Sequence, residues 1–549
     1  MDEKIEHKWN VMIFLAGNNS LSEECVYGLT EVLDARVNSN VAICAQLSTG
    51  VHRASFLNLR DPKTRDRDQL HRKLNTELDH QLTADAHAAS AASADPQNPP
   101  TTMSLSDRIL GFVDRCLSEN GSRDAEHHML ILAGHGNGTL GGFLREDDAQ
   151  DGHSVPNLGA LIETIKGKLN GHKIDVLGMD SCLMSMTEVA YAVHNHVKVM
   201  IGAEGFEPVA GWPYRQILEL VSSIPDDVNE LGRKIVDEYI EFYTIYQAAN
   251  LSVDLTASNL SETVMVMKAI RSLADTLTPL LRAYPDEVRN MDVDDPPVSV
   301  VVRDAVLLAH WEAQLYKNEQ YTDIYDFCTL LKARLGHQDA YKPVRQACQN
   351  VLNSIAGAEK QQMLEGDRWE PGLAARNYTA PWFLRGVQQR PWDEPRWTKS
   401  VNFQDTKGFV LKSCYSGWAV QYSYGVSVYF PWSQVPADME EYKELNFAKD
   451  SHWADFLDAY LKATKREGRR TTSDDKPATQ FAPLFLRDNF SVAPTTFAKH
   501  RNAESNRNAE SNRNAESNRS MTNMIGSMKN PATEFWECSD FEPPNRNKR

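Results

Sequence analysis

Residues 127–138 read HHMLILAGHGNG, and residues 174–182 read IDVLGMDSC. Each opens on a short apolar run of the kind a strand buried on both faces carries, and each run ends abruptly in polar or glycine-rich residues. The strands are read as Met129–Ala133 and Ile174–Met179. Working outward, similar runs occur at Asn10–Ala16, Val41–Leu47 and Val197–Ala203, with a sixth at Leu251–Leu255. Helical spacing lies between them at Leu21–Val37 (Ser20 as its N-cap), Leu158–Leu169 and Leu183–His194. Strands alternating with helices imply an α/β fold, a mostly parallel sheet flanked by helices. In such sheets functional groups gather where strands end at their carboxyl edge. His135 and Cys182 stand at two such exits, 47 residues apart.

The residue types at these exits define a chemistry. A thiol becomes a good nucleophile once an imidazole takes its proton, and the same imidazole can then protonate a departing amine. Glycines beside His135 allow close approach of a substrate backbone. The N–H groups of Gly136 and Cys182, the latter placed at a helix N-terminus, are candidates for an oxyanion hole. Asp180 lies two residues before Cys182 and so on the same side of an extended segment, where it would attract Arg or Lys before the cut. It could instead cap a helix starting near Leu183. The run Gly136–Gly141 also satisfies G-x-G-x-x-G, but that fingerprint must open a helix, and Gly141-Gly142-Phe143 is poor helix material.

The rest of the chain bounds this reading. At 549 residues, two or three structural units are expected. A catalytic domain is placed at 8–257, an α+β region packed on it at 258–463, and a low-complexity, disordered tail at 464–549. The region after 258 begins with helical patterns at Thr263–Leu281, Asp304–Leu335 and Tyr341–Ile355. It then turns strand-like at Gly408–Cys414 and Gly425–Phe430, and ends in a helix around Trp453–Leu461. Thr83–Pro100 is rich in Ala, Ser, Asp and Pro and reads as a flexible insertion; Asp292–Pro297 and Trp382–Trp397 read as surface loops. RNAESN occurs three times in succession from Arg501, too polar to bury a core.

A net charge of -17 disfavours nucleic acid and anionic membranes as partners. No stretch reaches the roughly 18 apolar residues of a membrane helix. The 8 cysteines are scattered singly, with no metal-ligand spacing. A reduced, cytoplasmic, monomeric protein is expected. The other cysteines read as small buried hydrophobes, and His127, His128, His153, His172, His194 and His196 as surface residues.

Several stretches together resemble the clostripain-type cysteine peptidases, relatives of caspases, legumains and gingipains. They are WNVMIFLAGNNSL (9–21), HHMLILAGHGNG, VLGMDSCLMSMTEVAY (176–191), GAEGFEPVAGWPY (202–214), GVSVYFP (425–431) and YKELNFAKDSHWADFL (442–457). The resemblance covers most of residues 8–460 and implies a caspase-like sheet. It implies that His135 and Cys182 form the catalytic dyad and that Asp180 belongs to a pocket for basic side chains. A second pocket residue would come from the loop after the next strand, where Glu204 and Glu207 both qualify. Members commonly cut themselves after a basic residue beyond the histidine, which makes Arg145 the candidate. No cofactor is required, although some relatives need calcium; Asp147, Asp148 and Asp151 could hold it, but three such acids are more often simply solvated. The implied activity is hydrolysis of protein or peptide substrates after Arg or Lys. Two alternatives stand beside it: a catalytically silent member that binds a partner, and an acid-specific peptidase, against which the charge of Asp180 argues.

Overall fold

The computed structural model describes residues 8–48, 54–58, 104–119, 122–144, 146, 154–223, 226–245, 251–287, 295–316, 320–357, 399–404, 407–432 and 436–464. The expected insertion at 83–100, the Trp-rich loop 382–397 and the repeat tail lie outside them, as do Arg145, Asp147, Asp148, Asp151 and His153. The described chain forms two compact units. One contains 1–184, 193–202 and 207–239; the other contains 185–192, 203–206 and 240 onward. The chain therefore passes back and forth before residue 240, where the sequence suggested one boundary at 257/258.

In the first unit the strands are β1 (Trp9–Ala16), β2 (Val41–Ser48), β3 (Ala54–Asn58), β4 (His127–Ala133), β5 (Ile174–Asp180) and β6 (Val197–Gly202). Their spatial order is β3-β2-β1-β4-β5-β6. All neighbours are parallel except the edge pair β2–β3. The mostly parallel sheet expected from the alternating pattern is what forms. Every residue of β1, β2 and β5 is buried, which requires cover on both faces. The cover includes α1 (Ser22–Asp34), α2 (Leu105–Glu119) and α3 (Val155–Lys168). Side chains such as Val11, Ile13, Ile131 and Val176 are 0% exposed. Each fully buried aliphatic of this kind stabilises the fold by roughly 1.5–3 kcal/mol.

Three local expectations are corrected. Helix α1 starts at Ser22, capped by Leu21 with no side-chain bond, so Ser20 is not its cap. The helix expected from Leu183 is α4 (Thr187–Val193). Leu183 itself has φ 65°, a left-handed turn conformation that breaks any helix there. His128 is buried at 1% exposure, not at the surface, because β4 begins two residues earlier than its apolar run suggests.

Beyond β6 come α5 (Tyr214–Ser223) and α6 (Val228–Thr244). The second unit then follows with β7 (Val253–Asn259), α7 (Thr263–Glu287), α8 (Val298–Glu312), β8 (Leu315–Tyr316), β9 (Tyr321–Asp323), α9 (Ile324–Arg334) and α10 (Lys342–Ala356). It ends with β10 (Ser400–Gln404), β11 (Val410–Ser416), β12 (Ser427–Tyr429) and helices α11 (Pro436–Glu444), α12 (Asn446–Ser451) and α13 (Trp453–Ala463). The helical pattern read over Asp304–Leu335 is thus two helices separated by a small hairpin. Asp323 closes that hairpin and caps α9 by accepting the N–H of Asp326 at 2.8 Å. The core is aromatic: His310 stacks on Phe430, which also meets Trp453, Phe456 and Tyr460.

Candidate active site

The register of β4 on β5 organises the site. Ala133 pairs with Asp180, and Gly134 continues the ladder by donating its N–H to Asp180 O at 3.1 Å. The paired strands end there, and His135 and Cys182 each lie two residues beyond a paired end, at neighbouring exits of the sheet. The sequence spacing of the two residues equals the register offset of their strands. Ser181 ties the two exits together, its hydroxyl donating to Gly134 O at 2.7 Å. Gly136 lies flat against the next chain: a Cβ there would come within 2.2 Å of Cys182 O and 3.1 Å of Cys182 N. Only glycine fits, and its main chain is held beside that of Cys182. Because α4 begins at Thr187, the Cys182 amide is not at a helix N-terminus.

Cys182 is buried at 5% exposure. Its sulfur accepts the N–H of Glu207 at 3.3 Å and lies 3.8 Å from Glu207 O. His135 Nε2 lies 2.9 Å from Ser20 Oγ.

Asp180 is buried, and its Oδ2 accepts the Trp212 N–H at 3.2 Å and the Tyr214 hydroxyl at 2.5 Å. These bonds show that it is not a helix cap. Gly211 passes so close (φ 69°) that a Cβ would sit 2.9 Å from Asp180 Oδ2. Burial pushes the Asp180 carboxyl above its ordinary range, against the opposing pull of hydrogen bonds from Glu207, Tyr214 and Trp212. Glu207 is buried too and takes the Trp212 indole N–H at 3.4 Å. Asp180 and Glu207 thus lie together, and the Glu207 main chain touches the Cys182 sulfur.

Glu204 goes elsewhere. It belongs to the second unit, 0% exposed, with Oε2 accepting the Gly425 N–H at 2.7 Å. Its own N–H donates to Asp254 at 2.9 Å. Of the two glutamates that the sequence left open, Glu207 meets Cys182 and Asp180. Sequence reasoning did not single out Trp212, Tyr214 or the link from Ser20 to His135. Trp212 and Tyr214 lie in the quoted segment 202–214, which was the one available signal.

Among the described residues, one trio of ligand-type side chains lies close enough to share a cation: Glu126, His127 and Asp226. Asp226 is already paired with Lys8, and His127 Nδ1 with Asp175. No described helix is long and apolar enough to cross a membrane. The seven described cysteines form no disulfide among themselves.

The model of the clostripain family matches residues 112–460, well over half of the chain. Similar solved structures include a secreted C11 cysteine protease from Bacteroides thetaiotaomicron, in complex with an irreversible peptide inhibitor. Identity is 13%, with 81% of this chain and 99% of that one covered, at a TM-score of 0.46. An inactive zymogen C11 protease from Parabacteroides distasonis is similar at 17% identity, with 81% of this chain and 98% of that one covered and a TM-score of 0.41. No curated protein matches. Fold and family together define a cysteine-type peptidase. The chain belongs to the clostripain family.

Proposed function

We propose that the chain is an endopeptidase that cuts after Arg or Lys, with Cys182 as nucleophile and His135 as its base. The observation that carries this reading is the buried, hydrogen-bonded pair Asp180 and Glu207 at the exit of β5, with the Glu207 main chain against the Cys182 sulfur. Two enclosed acids at the strand exit that carries the nucleophile favour a cationic side chain and repel an acidic one. Of the two glutamates, Glu207 is the second pocket acid.

In the reaction His135 takes the thiol proton, and the Cys182 thiolate attacks the carbonyl carbon that follows the basic residue. The developing oxyanion is met by the main-chain N–H groups of Gly136 and Cys182. His135 then gives its proton to the amine nitrogen as the C–N bond breaks, leaving a thioacyl enzyme. Water, deprotonated by the same imidazole, attacks the thioester, and the thiol and a carboxylate product are released.

A reporter-peptide panel tests the reading. Peptides with Arg or Lys before the reporter are cleaved, and those with Asp are not. Cys182→Ala and His135→Ala each lower kcat by about 1,000-fold or more, while circular dichroism remains that of wild type. Undiminished cleavage by Cys182→Ala would remove the nucleophile assignment, and equal cleavage of Arg and Asp peptides would remove the pocket.

A further inference from the structure

Three adjacent strand exits, not two, contribute to the site. In the sheet β4 lies between β5 and β1, so the exit of β1 flanks His135 on the side away from Cys182. Just beyond β1, Asn19 fixes the turn. Its Nδ2 donates to Ala16 O at 3.0 Å, and its Oδ1 accepts the Leu21 N–H at 2.9 Å. That turn holds Ser20 with its Oγ 2.9 Å from His135 Nε2. Helix α1 begins at Ser22 and takes no side-chain cap, so the Ser20 hydroxyl does not serve the helix.

We propose that Ser20 is a positioning residue for the peptidase reaction: its hydroxyl oxygen accepts the Nε2–H of His135 and so directs Nδ1 toward the proton of Cys182. The inference rests on the reading of Cys182 and His135 as nucleophile and base. A neutral imidazole carries one N–H, and the bond made by one nitrogen decides which nitrogen is left as the acceptor. With Nε2–H held by Ser20, the proton from sulfur goes to Nδ1. The ring is then an imidazolium, both nitrogens are donors, and the bond to Ser20 becomes charge-assisted and stronger. The hydroxyl stays neutral throughout, so it steadies the charged ring without an ionised partner. The hydrogen bond is solvent-exposed, so water competes for it and the effect is moderate.

The test compares wild type with Ser20→Ala, Ser20→Thr, His135→Ala and the double variant His135→Ala/Ser20→Ala. Two readouts are used: steady-state cleavage of an Arg reporter, and the pH dependence of iodoacetamide alkylation at Cys182, followed by peptide mass. Ser20→Ala lowers kcat about threefold to tenfold with KM unchanged, and it moves the alkylation midpoint to higher pH. Ser20→Thr, which keeps the hydroxyl, restores both. In the His135→Ala background, Ser20→Ala changes alkylation no further. Wild-type kcat and midpoint in Ser20→Ala would overturn the assignment, as would an effect of equal size in the absence of His135. If His135→Ala itself alkylates like wild type, the nucleophile–base reading fails instead. The two failures are therefore distinct.

Discussion

Asp180 with Glu207 in one unit, and Glu204 with Asp254 and Asp323 in the other, are all enclosed acids, yet they are built in opposite ways. In the second set the main chain answers the carboxyl groups. Glu204 takes the N–H of Gly425, and Asp254 takes those of Glu204 and Gly205. Asp323 takes those of Asp326 and Tyr424. These acids hold turns together. In the first set side-chain groups, among them the Tyr214 hydroxyl and the Trp212 indole, supply most of the donors, and the Glu207 main chain touches a thiol. Burial raises the proton affinity of Asp180 and of Glu204 alike. A shifted carboxyl therefore does not mark a site; what it faces does.

Exchanging charge for neutral amide in each set gives the largest expected contrast. Asp180→Asn lowers kcat/KM for Arg peptides by about 100-fold or more and narrows the Arg/Asp ratio, whereas Glu204→Gln leaves that ratio unchanged. Because burial raises Asp180, its carboxyl holds its proton to higher pH than an ordinary carboxyl and ionises as pH rises further. An ionised pocket binds a cation better, so KM for Arg peptides falls with rising pH in wild type and responds less in Asp180→Asn. Peptide kinetics across pH read both effects. Loss of basic preference in Glu204→Gln would erase the distinction between the sets.

A smaller effect concerns stability and belongs to the second set alone. Burial raises Asp254 from 3.8 to about 6. A folded state that holds its proton more tightly than the unfolded chain is stabilised fully at pH below the unfolded value. That advantage is lost as pH rises toward 6 and is constant above it. The unfolding free energy of wild type relative to Asp254→Asn should fall by about 1–3 kcal/mol over that interval. The amide also loses one acceptor for two N–H groups, a constant offset that does not change the slope. Urea titrations at several pH values measure it, and a flat difference would show that Asp254 stays ionised when buried.

The reach of the sequence differs between these sets for a physical reason. The strand exits that carry His135, Cys182 and Asp180 were legible because apolar runs mark where β4 and β5 end, and parallel neighbours leave the sheet at one edge. The apolar runs of β1, β4 and β5 carried the parallel sheet for the same reason. Glu204 and Glu207 could not be separated, since they lie three residues apart in one loop and their destinations depend on turns closed by distant partners. Tyr214 reaches an acid 34 residues earlier, a pairing without periodicity. Ser20 was misread because the same hydroxyl suits a helix cap or an imidazole, and only the fold decides. The hairpin inside Asp304–Leu335 was hidden because strands of two and three residues leave too short a pattern against flanking helices.

The smallest expected effect isolates the donor that most clearly separates the two sets. The Tyr214 ring is 1% exposed and packs under Gly28, where a Cβ would meet it at 3.2 Å. Phenylalanine keeps that packing and removes only the hydroxyl. Burial, reinforced by Asp180, holds the phenol well above its ordinary range, so it remains a neutral donor at any working pH. Without it, the Asp180 carboxylate loses its shortest hydrogen bond and ionises less readily. KM for Arg peptides in Tyr214→Phe should rise about fivefold, with kcat unchanged, because the pocket is weakened and the thiol is untouched. A fall in kcat at constant KM would mean that Tyr214 acts on Cys182 through Glu207. The two acids would then belong to the nucleophile's support, and specificity would have to arise outside them.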